Sequence, residues 1–185
     1  MNENISERTF ETADTIRPQL PEIARLFIAA FTSPPRNELW TEESAQSFIL
    51  EHLELGGWSS CRFNSTGSLI AFSLCVALNQ WKSVSSIVKL TPDEQPCLYF
   101  STLVTEPSFR RRGFGKMILL QDLMKAKSLG YRSVLARTRT DTPEIIGLLT
   151  QLEFETSGHY IGTIGGITAE RLIHLKHIQG PTQHE

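Results

Sequence analysis

The chain has 185 residues, 40% of them hydrophobic and 21% charged, which is the composition of one ordinary globular domain able to bury a real core. A formal charge of −2 argues against a dedicated nucleic-acid binder, which normally carries a basic stripe. Cys61, Cys75 and Cys97 are odd in number and lack Cys-x-x-Cys spacing, so neither a disulfide framework nor a metal site is expected.

The polar stretch Met1–Glu11 has no signal-peptide core and no apolar run is long enough to span a bilayer, so a cytoplasmic protein without a membrane partner is expected. A weak first strand is placed over about residues 8–17. Ile23, Leu26, Phe27 and Ala30 recur at helical spacing between Pro21 and Phe31, and Pro34-Pro35 ends that helix. Thr41 is a good N-cap for a second helix carrying Glu42 and Glu43 in its first turn, which runs to Gly56-Gly57. Trp58–Phe63 and Leu69–Leu78 are strand-like and flank the turn residues Asn64-Ser65-Thr66-Gly67, a hairpin signal. A polar connection over 79–95 contains Trp81 and Pro92, and either folds over a cleft or lies in solvent.

Cys97–Thr105 is strand-like, and Met117–Leu129 is helix-like with Met117, Leu120, Leu123 and Met124 as its expected apolar face and Gly130 as its stop. Ser133–Thr138 is a short strand. Thr142-Pro143 opens a helix through Ile145, Ile146, Leu148, Leu149 and Leu152. Phe154–Ile161 and Arg171–Ile178 close the chain as a strand pair, followed by a frayed tail at 179–185. Helices first, then strands alternating with helices, predict a single mixed α/β domain over 1–185 with its core at about 16–178.

Between the 97–105 strand and the helix after it stands Arg110-Arg111-Arg112-Gly113-Phe114-Gly115-Lys116. A strand, a glycine turn and a helix start aim unpaired backbone N–H groups at an anion, and the helix dipole adds partial positive charge there. Glycines let the anion approach the backbone, and the arginines add charged donors. A Rossmann turn would need Gly where Arg111 and Ile118 stand, and a Walker A loop would need Ser or Thr where Met117 stands. Both are excluded, and a phosphate-bearing ligand remains.

The run Leu103-Val104-Thr105-Glu106-Pro107-Ser108-Phe109-Arg110-Arg111-Arg112-Gly113-Phe114-Gly115 resembles the acetyl-CoA-binding motif of the GNAT superfamily of N-acetyltransferases. That pattern is a strand, a Pro past its end, an aromatic residue and Gln/Arg-x-x-Gly-x-Gly/Ala opening a helix. The resemblance extends to the order of elements over about residues 16–178. It implies a mostly antiparallel central sheet flanked by helices, with strands splayed around the CoA site. It also implies that Arg110, Arg111, Arg112, Gly113, Phe114, Gly115 and Lys116 cradle the pyrophosphate, while Leu103, Val104 and Thr105 offer backbone groups to pantetheine and the thioester. Thr142 matches an Asn that caps the late helix in relatives and is carried over as a cofactor contact.

The catalytic positions of the family are altered. A Tyr acid that many relatives carry four residues before a Gly-Phe pair is matched by Leu149 before Glu153-Phe154, and the strand Glu base of some relatives would fall near Arg137 and is absent. Candidate proton-transfer groups are therefore Glu106 at the strand end, which is otherwise a solvated loop carboxylate, and Tyr160 with its neighbour His159. In the loop between the first helices, Glu38 and Trp40 are candidates for an acidic-aromatic wall against a cationic amine, unless Trp40 is a hydrophobic staple. The implied reaction is direct acetyl transfer from acetyl-CoA to a primary amine, on a small molecule or on a protein, by a monomer or homodimer. A non-catalytic acyl-CoA sensor of the same fold, or a longer acyl group, are the alternatives.

Overall fold

In the computed structural model, which describes residues 5–178, seven strands form one open sheet in the order β1-β2-β3-β4-β5-β7-β6. The strands are β1 (Ser6–Phe10), β2 (Ser59–Phe63), β3 (Leu69–Ala77), β4 (Cys97–Thr105), β5 (Ser133–Arg139), β6 (Glu155–Ile164) and β7 (Ile167–His177). Only β4 and β5 run parallel; every other neighbouring pair is antiparallel. The helices are α1 (Ala13–Ile16), α2 (Leu20–Thr32), α3 (Glu42–Glu54), α4 (Lys82–Ser85), α5 (Phe114–Ser128) and α6 (Pro143–Gln151). The tail expected at 179–185 lies outside the described residues.

Local chemistry explains most boundaries. Thr41 caps α3 through a reciprocal exchange with Ser44, whose amide bonds to the Thr41 hydroxyl at 3.1 Å. Asn64 closes the β2–β3 turn by accepting from the amides of Thr66 and Ser68. The weak strand expected over 8–17 is displaced: β1 ends at Phe10, and Thr12 caps the short α1 instead. The 79–95 connection stays out of the β4–β5 cleft and does not lie in solvent along its length. Trp81 and Val84 are buried, and the indole lies 4.1 Å from the His52 ring, so this segment packs under α3.

One sheet face carries α2 and α3. Their apolar stripes, including Ile23, Phe27, Ile49 and Leu53, close over Phe72, Leu74 and Val104. The other face carries α5 and α6, with Leu119, Leu123, Leu149 and Phe154 over Leu98, Phe100 and Val134. The expected apolar face of α5 is corrected here. Met117, Leu120 and Met124 are exposed, whereas Phe114, Ile118, Leu119, Asp122, Leu123 and Ala126 are buried. The periodicity is misleading because one buried position of this helix is a carboxylate.

Asp122 accepts from the Trp58 indole at 2.8 Å, the Ser60 hydroxyl at 2.7 Å and the Ser73 hydroxyl at 2.6 Å. Desolvation raises its pKa, and the hydrogen bonds oppose that rise. The network ties α5 to β2 and β3 and so holds the helix whose N-terminus forms the glycine turn. Replacing Asp122 by Ala strands three buried donors at once. It should cost about 2–4 kcal/mol of unfolding free energy in urea titrations, with an unchanged far-ultraviolet spectrum before the transition.

Candidate active site

The site begins where β4 and β5 part. Their pairing runs only from Cys97↔Ser133 to Phe100↔Ala136, although β4 continues to Thr105 and β5 to Arg139. At the parting point β4 carries an extra residue. Thr102 pairs with Leu74 and Phe100 with Cys75, so Ser101 is a bulge that re-aims the strand. A narrow cleft of about 40 Å³ fills the gap, lined on the strands by Phe100–Leu103 and Ala136–Thr138 and elsewhere by Phe31, Arg36, Ile145 and Leu149. A larger cavity of about 460 Å³ lies at the opposite end of β4, around Cys97 and Tyr131, away from the splay and the glycine turn.

At the outer end of the splay, Arg111 has φ +60° and Gly113 φ +87°. Left-handed residues at alternate positions turn successive N–H groups inward into an anion-binding concavity. The first bond of α5 is Met117 N–H to Gly113 O, which leaves the amides of Phe114, Gly115 and Lys116 without intrahelical partners. α5 packs beside β4, where a Cβ on Gly115 would make ordinary contact, at 3.5 Å, with the Leu103 and Thr105 side chains. Arg110 reaches back to the Thr105 carbonyl at 3.2 Å, while Arg111, Arg112 and Lys116 are exposed. Unpaired helix amides and the cations of Arg110, Arg111, Arg112 and Lys116 thus lie along one short stretch at the end of β4.

The family model described as "Acetyltransferase (GNAT) family" matches residues 20–154, most of the chain. The chain belongs to the GNAT family of acetyltransferases. No curated protein matches by sequence. A putative acetyltransferase from Acinetobacter baylyi superposes with a TM-score of 0.71 at 14% identity, covering 98% of each chain. One from Salmonella typhimurium with its cofactor acetyl-CoA gives 0.68 at 12%, covering 97% of this chain and 99% of that one. The ribosomal-protein-S18-alanine N-acetyltransferase of Escherichia coli gives 0.65 at 17%, covering 98% of each. At these identities the structures share the fold. GNAT membership makes acetyl-CoA the acyl donor. Among the described residues no cluster of His, Cys, Asp and Glu is arranged to hold a metal, and no helix is long and apolar enough to cross a membrane.

The residues proposed for proton transfer are engaged in this GNAT domain. Glu106 caps the turn after β4, accepting from the Ser108 amide at 2.8 Å and from its hydroxyl. The Tyr160 hydroxyl accepts from Arg137 at 2.6 Å, and the other side of that guanidinium donates to the Tyr99 hydroxyl at 2.8 Å. His159 is exposed and faces Glu170 at 3.3 Å. Thr142 is buried and its hydroxyl donates to the Arg139 carbonyl at 2.7 Å. Leu149 is fully buried in the cleft wall, and Glu153 adopts φ +59°.

The wall expected from Glu38 and Trp40 is not presented to a cationic amine. Glu38 is 2% exposed and accepts from the Trp40 indole at 2.8 Å. Trp40 itself packs edge-on against Phe27 and Phe48, joining the core between α2 and α3 instead of stapling the α3 start. The tip of the β6–β7 hairpin covers both residues, and the Leu39 amide bonds to the Gly165 carbonyl at 2.6 Å.

Two features were missed in the sequence. His52, fully buried on α3, places its Nδ1 2.8 Å from the Phe48 carbonyl and its Nε2 2.6 Å from the Ser101 hydroxyl. A carbonyl only accepts, so Nδ1 carries the proton and Nε2 is left bare for Ser101. Arg36 and Arg137 line the same cleft. No sequence spacing announces these groups, since they lie on α3, β4, β5 and a loop.

Burial lowers the His52 pKa from 6.5 to about 4. The unfolded chain takes up this proton below about pH 6.5 and the folded one only near pH 4. The stability held above 6.5 is therefore lost as pH falls through that window. The loss attributable to His52 should approach about 3 kcal/mol, seen as a shallower pH dependence of urea unfolding in His52→Gln than in the natural protein.

Proposed function

We propose that the protein is an N-acetyltransferase that joins an acetyl group from acetyl-CoA to a primary amine by direct attack in a ternary complex. The observation that carries this reading is the β4–β5 splay, which opens on the glycine turn at one end and on Phe31, Arg36 and Arg137 at the other. The outer end holds phosphates and the inner end receives the acceptor. The bound thioester supplies an electrophilic carbonyl carbon and a thiolate leaving group. Backbone N–H groups of β4 freed by the splay donate to that carbonyl oxygen as it gains charge.

Ser101 takes the proton lost by the amine nitrogen while passing its own to Nε2 of His52, which Phe48 holds in the right tautomer. A His52 that titrates near 4 binds this proton weakly and returns it through the same hydroxyl to the departing sulfur. All three cysteines are buried, with thiols pushed up to about 12 for Cys61, to about 11 for Cys97 and well above the ordinary value for Cys75. This supports direct transfer over an acetyl-cysteine intermediate. The second reading, an acyl-CoA sensor, is favoured by Leu149 in place of the acid.

Calorimetry should show acetyl-CoA binding, weakened about 10- to 100-fold by Arg112→Glu and by Gly113→Asp, the latter also forcing a side chain onto φ +87°. Undiminished affinity in both variants would remove the glycine turn from the site. Once an acceptor is found, initial rates should give intersecting lines, whereas parallel lines would mean an acyl-enzyme. Ser101→Ala should lower kcat about 10- to 100-fold with the KM for acetyl-CoA unchanged. Tight binding without thiol release across a broad amine panel supports the sensor.

A further inference from the structure

The inner end of the cleft carries positive charge with no acid of its own. Arg36 and Arg137 are in its wall, and no Asp or Glu is. The Arg137 guanidinium donates to the hydroxyls of Tyr99 and Tyr160 and to no carboxylate. Burial and sheet packing keep Tyr99 in its neutral form, so its phenol does not balance the cation. The Arg36 guanidinium lies 4.4 Å over the Phe31 ring, and Glu38 and Asp141 act on it through space without forming an ion pair.

Behind these two the charge is also unbalanced. Arg139 is satisfied by Asp141 and by the carbonyls of Pro35 and Arg36, which pins the loop bearing Arg36. Arg171, opposite Arg139 in the β5–β7 ladder and opposite Tyr160 in the β6–β7 ladder, is 4% exposed. Its Nε donates to the Gly162 carbonyl at 3.4 Å, and its buried Nη2 has no partner. The remaining acid is Glu38. Glu38 acts on both Arg36 and Arg171, so four guanidiniums share two carboxylates. Desolvated guanidiniums are costly to leave unpaired, and a bidentate anion is their natural complement.

CoA does not supply that anion at this end. Its phosphates belong at the glycine turn past Thr105, and its pantetheine arm is uncharged. The anion must arrive with the acceptor. Resting on the acetyltransferase reading, we propose that the acceptor is a small amine that bears a carboxylate, as an amino acid does, and that Arg36 and Arg137 hold this carboxylate while the amine points to Ser101. Polyamines and other purely cationic amines are repelled from the same wall.

The test uses the natural protein saturated with CoA, in which each of the common amino acids, its carboxamide and a polyamine are titrated by ligand-observed nuclear magnetic resonance. The same compounds are then assayed for thiol release with acetyl-CoA. At least one amino acid should bind, its carboxamide binding at least about thirtyfold more weakly, and the preference should disappear in Arg36→Gln and Arg137→Gln while acetyl-CoA affinity is kept. The same acid should be the better acetyl acceptor. Equal or better binding of carboxamides or polyamines overturns the proposal, as does a carboxylate preference that survives both substitutions or the absence of any amino-acid binding. Failure of acetyl-CoA itself to bind would instead overturn the acetyltransferase reading beneath it. Retained acetyl-CoA binding in both variants confirms that a lost preference is not unfolding.

Discussion

The parting of β4 and β5 is the constraint on which the rest of the molecule depends. A parallel pair is ordinarily a continuous ladder, and abandoning it after four residue pairs leaves backbone donors and acceptors without strand partners inside the protein. The fold sustains this by holding each strand from its other side. β4 stays registered on β3 as far as Thr105, and β5 stays registered on β7 as far as Arg139. The Ser101 bulge supplies the bend, and α5 crosses beside β4, anchored through Asp122 to β2 and β3. The unsatisfied strand edges are thus fixed in position, ready for a ligand that brings its own amide and carbonyl groups.

Charge is divided along the splay in a way that matches a two-substrate reaction. The glycine turn presents exposed arginines and bare helix amides, suited to solvated phosphates. The inner wall presents guanidiniums held by aromatic rings and hydroxyls, suited to a smaller and drier anion. Between them the cleft is lined by Phe100, Leu103, Ala136 and Leu149, a neutral passage. An overall charge of −2 conceals both local concentrations of arginine.

Much of this was legible in the residue order because it is local. Strand β4, the glycine turn, the Thr41 cap and the Asn64 turn each depend on neighbours within a few positions, and each stands at or within a few residues of its expected place. The α5 face was misread because Asp122 breaks the apolar stripe for a reason found on β2 and β3, more than forty residues away. Glu38 looked like a substrate group because nothing near it in sequence reveals that the β6–β7 hairpin tip closes over it. The His52–Ser101 pair was invisible for the same reason: a bulge shifts the strand by one residue, and no alternation rule anticipates it.

The same distribution of charge bears on the missing tyrosine. In a cleft with Leu149 at that position, no phenol stands ready on α6 to protonate a leaving sulfur. A thiolate is a tolerable leaving group, and what it chiefly needs in a poorly solvated site is compensation for its charge. At an effective dielectric of about 20, a unit cation roughly 6 Å away offers on the order of 3 kcal/mol, comparable with one well-placed hydrogen-bond donor. Arg137, locked between Tyr99 and Tyr160, is a fixed cation in the cleft wall. A cation there also disfavours an ammonium and so favours the free amine that attacks. Electrostatic stabilisation by this wall therefore acts beside the proton relay proposed for Ser101 and His52, and the carboxylate of the proposed acceptor completes the wall.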